Sequence, residues 1–128
     1  MSCENKHAGI RTYRDLQVWK KSIELAKKLY AQTAQFPESE RFLITPQIRK
    51  AAVSVFSNIA EGQARRTNKD FVQFLYIAKG SLAELDTQLT ISQELGYLNK
   101  KEYDKLFELI DELQRMLFSL ISKLGGSK

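Results

Sequence analysis

Apolar residues recur along this chain in steps of three and four, the spacing that stacks side chains on one face of an α-helix. The cleanest run is Tyr103, Leu106, Ile110, Leu113, Leu117, Leu120 and Leu124. A second, Ile48, Ala52, Val55 and Ile59, runs through Thr45–Gly62, interleaved with the small residues Ala51, Ser54, Ser57 and Ala60. Leu16, Trp19, Ile23, Ala26, Tyr30 and Thr33/Ala34 make a third. Phe71, Phe74/Leu75, Ala78, Leu82, Leu85, Leu89 and Ser92/Leu95 make the fourth. Four amphipathic helices follow from this pattern.

Boundary residues bracket each helix. Thr12 with Asp15 three residues later has the form of a capping box, and Phe36 before Pro37 disfavours helical backbone, giving a first helix over about 13–35. Thr45 as N-cap and Pro46 at the first helical position open a second, over about 46–65. Thr67 or Asn68 caps the third, supported by Asp70, and Gly96 stops it, giving 68–95. Asn99 and Glu102 form a capping box for the fourth, over 100–124, ended by Gly125–Gly126. The expected architecture is all-α, an antiparallel up-down-up-down four-helix bundle over residues 12–124. Residues 1–11 lack periodicity and are expected to be disordered or loosely docked, and 125–128 form a polar tail. In the longest connection, Pro37–Ile44, the residues Phe42, Leu43 and Ile44 are too apolar for a free loop and are expected to cover one end of the bundle.

Polar residues inside the second helix need partners. The short turn at Arg66–Asn68 makes helices two and three neighbours, so residues equidistant from it should meet. Arg49 or Lys50 then lies level with Glu84, and Ser54 with Gly80–Ser81. Asn58, Glu61, Ser81 and Glu84 are expected to fix register, facing the core, a neighbouring subunit or a channel. Gly80 sits mid-helix at a cost of up to about 1 kcal/mol relative to alanine, which is tolerable if another helix crosses tightly there. Helices three and four also carry apolar residues beyond their seams, among them Val72, Tyr76, Ile77, Ile91, Phe107, Leu109, Met116, Phe118 and Ile121. Such a surplus is what an oligomer interface uses.

At 128 residues the chain suits one domain with a real core. No apolar run is long enough to span a bilayer, the N-terminal stretch has no signal-peptide pattern, and the single cysteine, Cys3, fits a reducing compartment. A cytoplasmic protein is the expectation. The net charge of +5 is uneven: twelve Lys/Arg face six Asp/Glu through Arg66, and eight face nine beyond it. A basic half calls for an acidic partner, of which nucleic acid is the commonest.

Catalytic chemistry fails on inventory. The only histidine is His7, so neither a di-iron Glu-x-x-His pair nor a zinc site can be assembled, and Met116 is the one haem-ligand candidate, better suited to core filling. No phosphate loop, dinucleotide fingerprint or nucleophile–histidine pair is present. No cofactor, metal, small-molecule substrate or catalytic residue is expected. Phosphate contacts have better candidates: Arg65 and Arg66 beside an exposed turn, extended by Lys20, Lys21, Lys27 and Lys28 on helix one and by Arg49 and Lys50 on helix two. Tyr13, Trp19 and Tyr30 fit the core seam or its edge better than a base-stacking platform, and no sequence-reading motif appears.

The stretches QIRKAAVSVFSNIAEG, AKGSLAEL at Ala78–Leu85 and DLQVWKKSIELAKKLY at Asp15–Tyr30, in that arrangement from Tyr13 to Leu124, resemble the bacterial four-helix-bundle proteins encoded in intervening sequences of 23S rRNA genes. The resemblance implies a ring-like homo-oligomer, a pentamer, and makes RNA the first partner to expect. The accessory proteins of diversity-generating retroelements, basic rings that bind RNA and protein beside a reverse transcriptase, are similar to this family in fold. The functional expectation is a non-enzymatic binder of structured RNA or DNA, acting through a basic surface repeated in an oligomer. The alternative is a protein-interaction scaffold using the apolar surface of helices three and four.

Overall fold

The computed structural model describes residues 9–125, with every side chain but that of Asp15. Four helices carry the fold: α1 (Gln17–Thr33), α2 (Ile44–Gln63), α3 (Asn68–Glu94) and α4 (Lys100–Lys123). Short 3-10 turns at Tyr13–Asp15 and Glu38–Glu40 complete it, and no strand occurs among the described residues. The protein is an all-α four-helix bundle.

The N-terminus of α1 differs from expectation. Thr12 accepts a hydrogen bond from the Arg14 N–H at 2.8 Å and so caps the 3-10 turn, not the helix. Leu16 then holds the extended N-cap backbone without a side-chain cap. The capping role expected of the Asp15 side chain lies outside the described residues. The buried face is also rotated: Val18, Ser22, Leu25, Ala26, Leu29 and Thr33 point inward. Trp19 is only partly buried and Tyr30 remains 43% exposed. Both stripes have three-four spacing, so periodicity alone did not fix which faced the core. Ser22 and Thr33 are tolerated inside because their hydroxyls donate to the carbonyls of Trp19 and Leu29.

The α1–α2 connection also departs from expectation. Phe42 is 81% exposed and Leu43 59%, so neither covers the bundle end; of the three apolar residues only Ile44 packs against the core. Phe36 fills that position instead, buried against Tyr97 at a ring-centroid distance of 5.5 Å. α2 starts at Ile44, earlier than the expected Thr45 cap. Its first free N–H is met at 3.4 Å by Glu40, reaching forward from the preceding turn. Pro46 falls within the first turn, where its missing N–H still costs nothing.

The remaining ends obey local chemistry. Thr67 accepts from the Asp70 N–H at 3.1 Å. Gly96, at φ +85°, closes α3 with a Schellman motif in which the Tyr97 N–H reaches Ser92 O and the Gly96 N–H reaches Gln93 O. Asn99 and Glu102 form a reciprocal capping box at α4.

Leu29, Ile48, Ile59, Phe71, Leu75, Leu82, Leu89, Leu113 and Leu117 are fully buried and form one continuous core. Each such side chain contributes roughly 1.5–3 kcal/mol of burial. The tightest packing is between α2 and α3. A β-carbon on Gly62 would sit 2.7 Å from Phe74 Cβ and 3.2 Å from the Phe71 carbonyl. The close crossing therefore falls at Gly62, and the expectation for Gly80 is overturned: nothing lies within 4 Å of where its side chain would be. Further along the same seam Ser54 meets Ser81. Lys79 meets Gln114 and Thr90 meets Tyr103 between α3 and α4; Gln32 meets Glu102 and Lys21 meets Glu112 between α1 and α4. These pairs bring residues 10–16, the end of α2, the start of α3 and the end of α4 to one end of the bundle.

Candidate nucleic-acid interface

That end is basic. Arg11, Arg14, Arg65, Arg66, Lys69 and Lys123 gather there against Glu61 and Asp70. The Gln63 side-chain amide, donating to Ile10 O at 3.4 Å, ties the N-terminal segment to the end of α2. Arg65 is held: it pairs with Glu61 at 3.0 Å, and its guanidinium lies 4.6 Å from the centre of the Phe74 ring. Arg14 lies over both Tyr13 and Trp19, at 5.6 and 5.5 Å. Arg66 and Lys69 are exposed on the turn and the first turn of α3. Sequence reasoning singled out Arg65 and Arg66 but missed Arg11, Arg14, Lys69 and Lys123. Their common location depends on which helix ends meet, which no local pattern states.

The opposite end differs in sign. Residues 33–47 and 94–102 bring Glu38, Glu40, Glu94 and Glu102 together with Arg41, Lys100 and Lys101. There the Tyr97 hydroxyl donates to Glu40 at 2.8 Å. That hydrogen bond, with desolvation and the nearby carboxylate charge, raises the Tyr97 phenol above its ordinary 10.0. Tyr103, between α3 and α4, is also raised, first by desolvation; its hydroxyl donates to Asp86 at 2.7 Å.

The other predicted cations divide into two groups. Lys20, Lys27 and Lys28 are exposed on α1, and Lys50 is exposed on α2. Lys21 is half-buried and paired with Glu112 at 3.5 Å. Arg49 is built into the α1–α2 contact: its guanidinium donates to Thr33 Oγ1 at 2.9 Å and Tyr30 O at 3.1 Å, and stacks 4.5 Å from the Tyr30 ring centre. Arg49 thus braces the α1–α2 contact, with two of its five N–H donors bonded within the protein.

The polar seam of α2 and α3 has its own order. Ser54 and Ser81 hydroxyls lie 2.7 Å apart, and the Asn58 amide donates to Ser54 O and Oγ at 2.7 and 3.0 Å. Glu61 pairs with Arg65. Glu84 accepts from the Gln88 amide at 3.3 Å and shares a shallow depression with Gln47, Lys50 and Ser54. Among the described residues no three His, Cys, Asp or Glu side chains converge to hold a metal. No helix there is long and apolar enough to cross a membrane. His7 and Cys3 lie outside the described residues.

Comparison with known proteins bears on what this arrangement serves. A solved structure of a protein of unknown function from the S23 ribosomal protein family of Bacteroides thetaiotaomicron is 25% identical, with a TM-score of 0.73. The match covers 81% of this chain and 97% of that one. No curated protein matches. The profile of the 23S rRNA-intervening sequence proteins matches residues 14–119, the whole bundle from the basic turn at Arg14 to the last turns of α4, and the chain belongs to that family.

Proposed function

We propose that the protein is a non-enzymatic, cytoplasmic nucleic-acid binder, an antiparallel up-down-up-down bundle repeated in a ring-like homo-oligomer. Its ligand is structured RNA, or DNA, held electrostatically without base reading. The observation that supports this is the gathering of Arg11, Arg14, Arg66 and Lys69 at one bundle end, with Arg65 braced beside them. Guanidinium forks suit phosphate oxygens. One end alone is a weak site, and repetition around a ring multiplies it. Membership in a family named for intervening sequences of 23S rRNA agrees with RNA as the first ligand to try.

Fluorescence titration of a labelled RNA hairpin and a duplex DNA at two salt concentrations tests the proposal. About six phosphate contacts make affinity fall roughly 10³-fold between about 50 and 200 mM salt. Arg66→Glu with Lys69→Glu should flatten that dependence and weaken binding without unfolding the bundle. Affinity indifferent to salt and to both substitutions would sink the reading. It would favour the scaffold alternative instead, for which the exposed Phe107 and Phe118 of α4 are the supporting observation.

A further inference from the structure

Positive charge runs on from the basic end along one flank of the bundle. The α1–α2 pair carries six Lys/Arg against two carboxylates, while the α3–α4 pair carries seven against nine. Between α1 and α2 lies a shallow apolar groove of about 380 Å³, lined by Ile23, Ala26, Lys27, Tyr30, Val53 and Phe56. Val53 is 36% exposed and Tyr30 43%, although the Arg49 guanidinium lies over the Tyr30 ring. A second depression of about 320 Å³ adjoins the groove along α1, sharing Ile23 and Lys27 and adding Gln17, Lys20, Lys21 and Glu24. Lys21 is paired with Glu112, so Lys20 and Lys27 are the exposed cations there, beside the exposed Glu24. Gln17 opens α1 at the basic end, and the two depressions lead from it to Tyr30, about 20 Å along the helix.

We infer that the groove receives the base of an unpaired nucleotide, as in a loop or bulge of a structured RNA, with the adjoining phosphates on Lys20 and Lys27. This contact deepens the nucleic-acid reading above, on which it rests, by adding a place for single-stranded nucleotides. A nucleotide is apolar on the faces of its base and anionic beside it. An apolar slot with an aromatic wall, set next to exposed lysines, matches both halves. Only Lys27 and the Tyr30 hydroxyl in the lining can hydrogen-bond, so the slot takes a base without reading which base it is. A duplex keeps its base faces inside the stack and can offer this flank phosphates alone.

Two other occupants fit less well. A lipid surface takes up apolar side chains that project from a basic face, whereas these line a concavity. A docked helix of an acidic partner spreads its anchors over about two turns, roughly 10 Å. On α2 the groove extends for one turn only, from Val53 to Phe56, about 5 Å. That length suits a flat group entering edge-on.

Fluorescence anisotropy with two labelled single strands of equal length and charge tests this, one an oligothymidylate and the other an abasic strand of the same backbone. The wild type should bind the oligothymidylate about fivefold or more tightly than the abasic strand, the low end of what stacking one base contributes. Val53→Lys fills the groove while adding a cation. Its position is exposed, and circular dichroism should show wild-type helicity. In that variant the two strands should bind alike, and affinity for an RNA duplex should stay the same or rise. Equal binding of both strands by the wild type, or a preference that survives Val53→Lys, would overturn the slot. Duplex binding separates the two readings. A duplex bound through Arg66 and Lys69, with no preference for the strand that carries bases, removes the slot and leaves the basic end standing. Base-dependent strand binding with no affinity for duplex or hairpin does the reverse. Sedimentation with phosphatidylglycerol vesicles and no binding of any oligonucleotide would overturn both in favour of a lipid surface.

Discussion

Gly62 and Phe74 approach so closely that a β-carbon on the glycine would lie 2.7 Å from the β-carbon of the phenylalanine. Phe74 Cβ and the Phe71 backbone carbonyl are not the ends of flexible chains, so neither can step aside. Gly62→Ala should therefore force α2 and α3 apart and destabilise the protein by about 1–3 kcal/mol, the usual range for overpacking. Gly80→Ala, where the side chain would meet nothing within 4 Å, should stabilise by up to about 1 kcal/mol. Urea unfolding of both variants checks the pair, and a stabilised Gly62→Ala would refute the close-crossing account.

The Ser54–Ser81 hydrogen bond couples the same two helices. Each alanine substitution should cost about 1 kcal/mol. The double variant should cost clearly less than both together, since the second loss removes a group whose partner is already gone. A double-mutant cycle measures this, and strict additivity would show that the hydroxyls do not interact.

Arg49 separates structure from function. Arg49→Ala loses bonds to Thr33 and Tyr30 and the stacked ring, and should destabilise by about 1–3 kcal/mol. Arg49→Lys should recover little, because an ammonium cannot reproduce the fork or the stacking. RNA affinity of the folded variant should match that of wild type. A large loss of affinity with unchanged stability would move Arg49 into the binding surface.

The Tyr97–Glu40 hydrogen bond gives a pH signature. The folded phenol is raised above its unfolded value near 10.0, so the folded state holds its proton more tightly. Its contribution is fully present below that unfolded value and is lost as pH rises through the higher folded one. Tyr97→Phe should lower the melting temperature near neutral pH, and the difference from wild type should shrink in strong alkali. A gap that widens with alkali would contradict the assigned direction.

Helix number and most ends were legible because they depend on neighbours in the chain. Thr67 caps its own next turn, Asn99 and Glu102 bond each other, and Gly96 needs only its own φ. What escaped depends on partners far along the sequence. The face of α1 was ambiguous because Trp19 and Tyr30 offer as good a stripe as Leu25 and Leu29; Arg49 and Arg14, stacked on those outer rings, account for their half-exposure. Phe42 and Leu43 looked like end-covering residues, yet Phe36 and Tyr97 already fill that end. Gly62 and Gly80 are alike on paper, and only the crossing geometry tells them apart. The basic end had the same fate, since its six cations are scattered from Arg11 to Lys123.

The four-residue link between α2 and α3 has a kinetic meaning. Closing a short loop costs little chain entropy, and this link joins the pair with the most extensive mutual packing. The α2–α3 pair is therefore expected to form the folding nucleus, ahead of α1 and α4. Truncating Val55 should chiefly slow refolding, whereas truncating Leu117 should chiefly speed unfolding. A chain emerging from the ribosome would then hold α1 in waiting until α3 had been made.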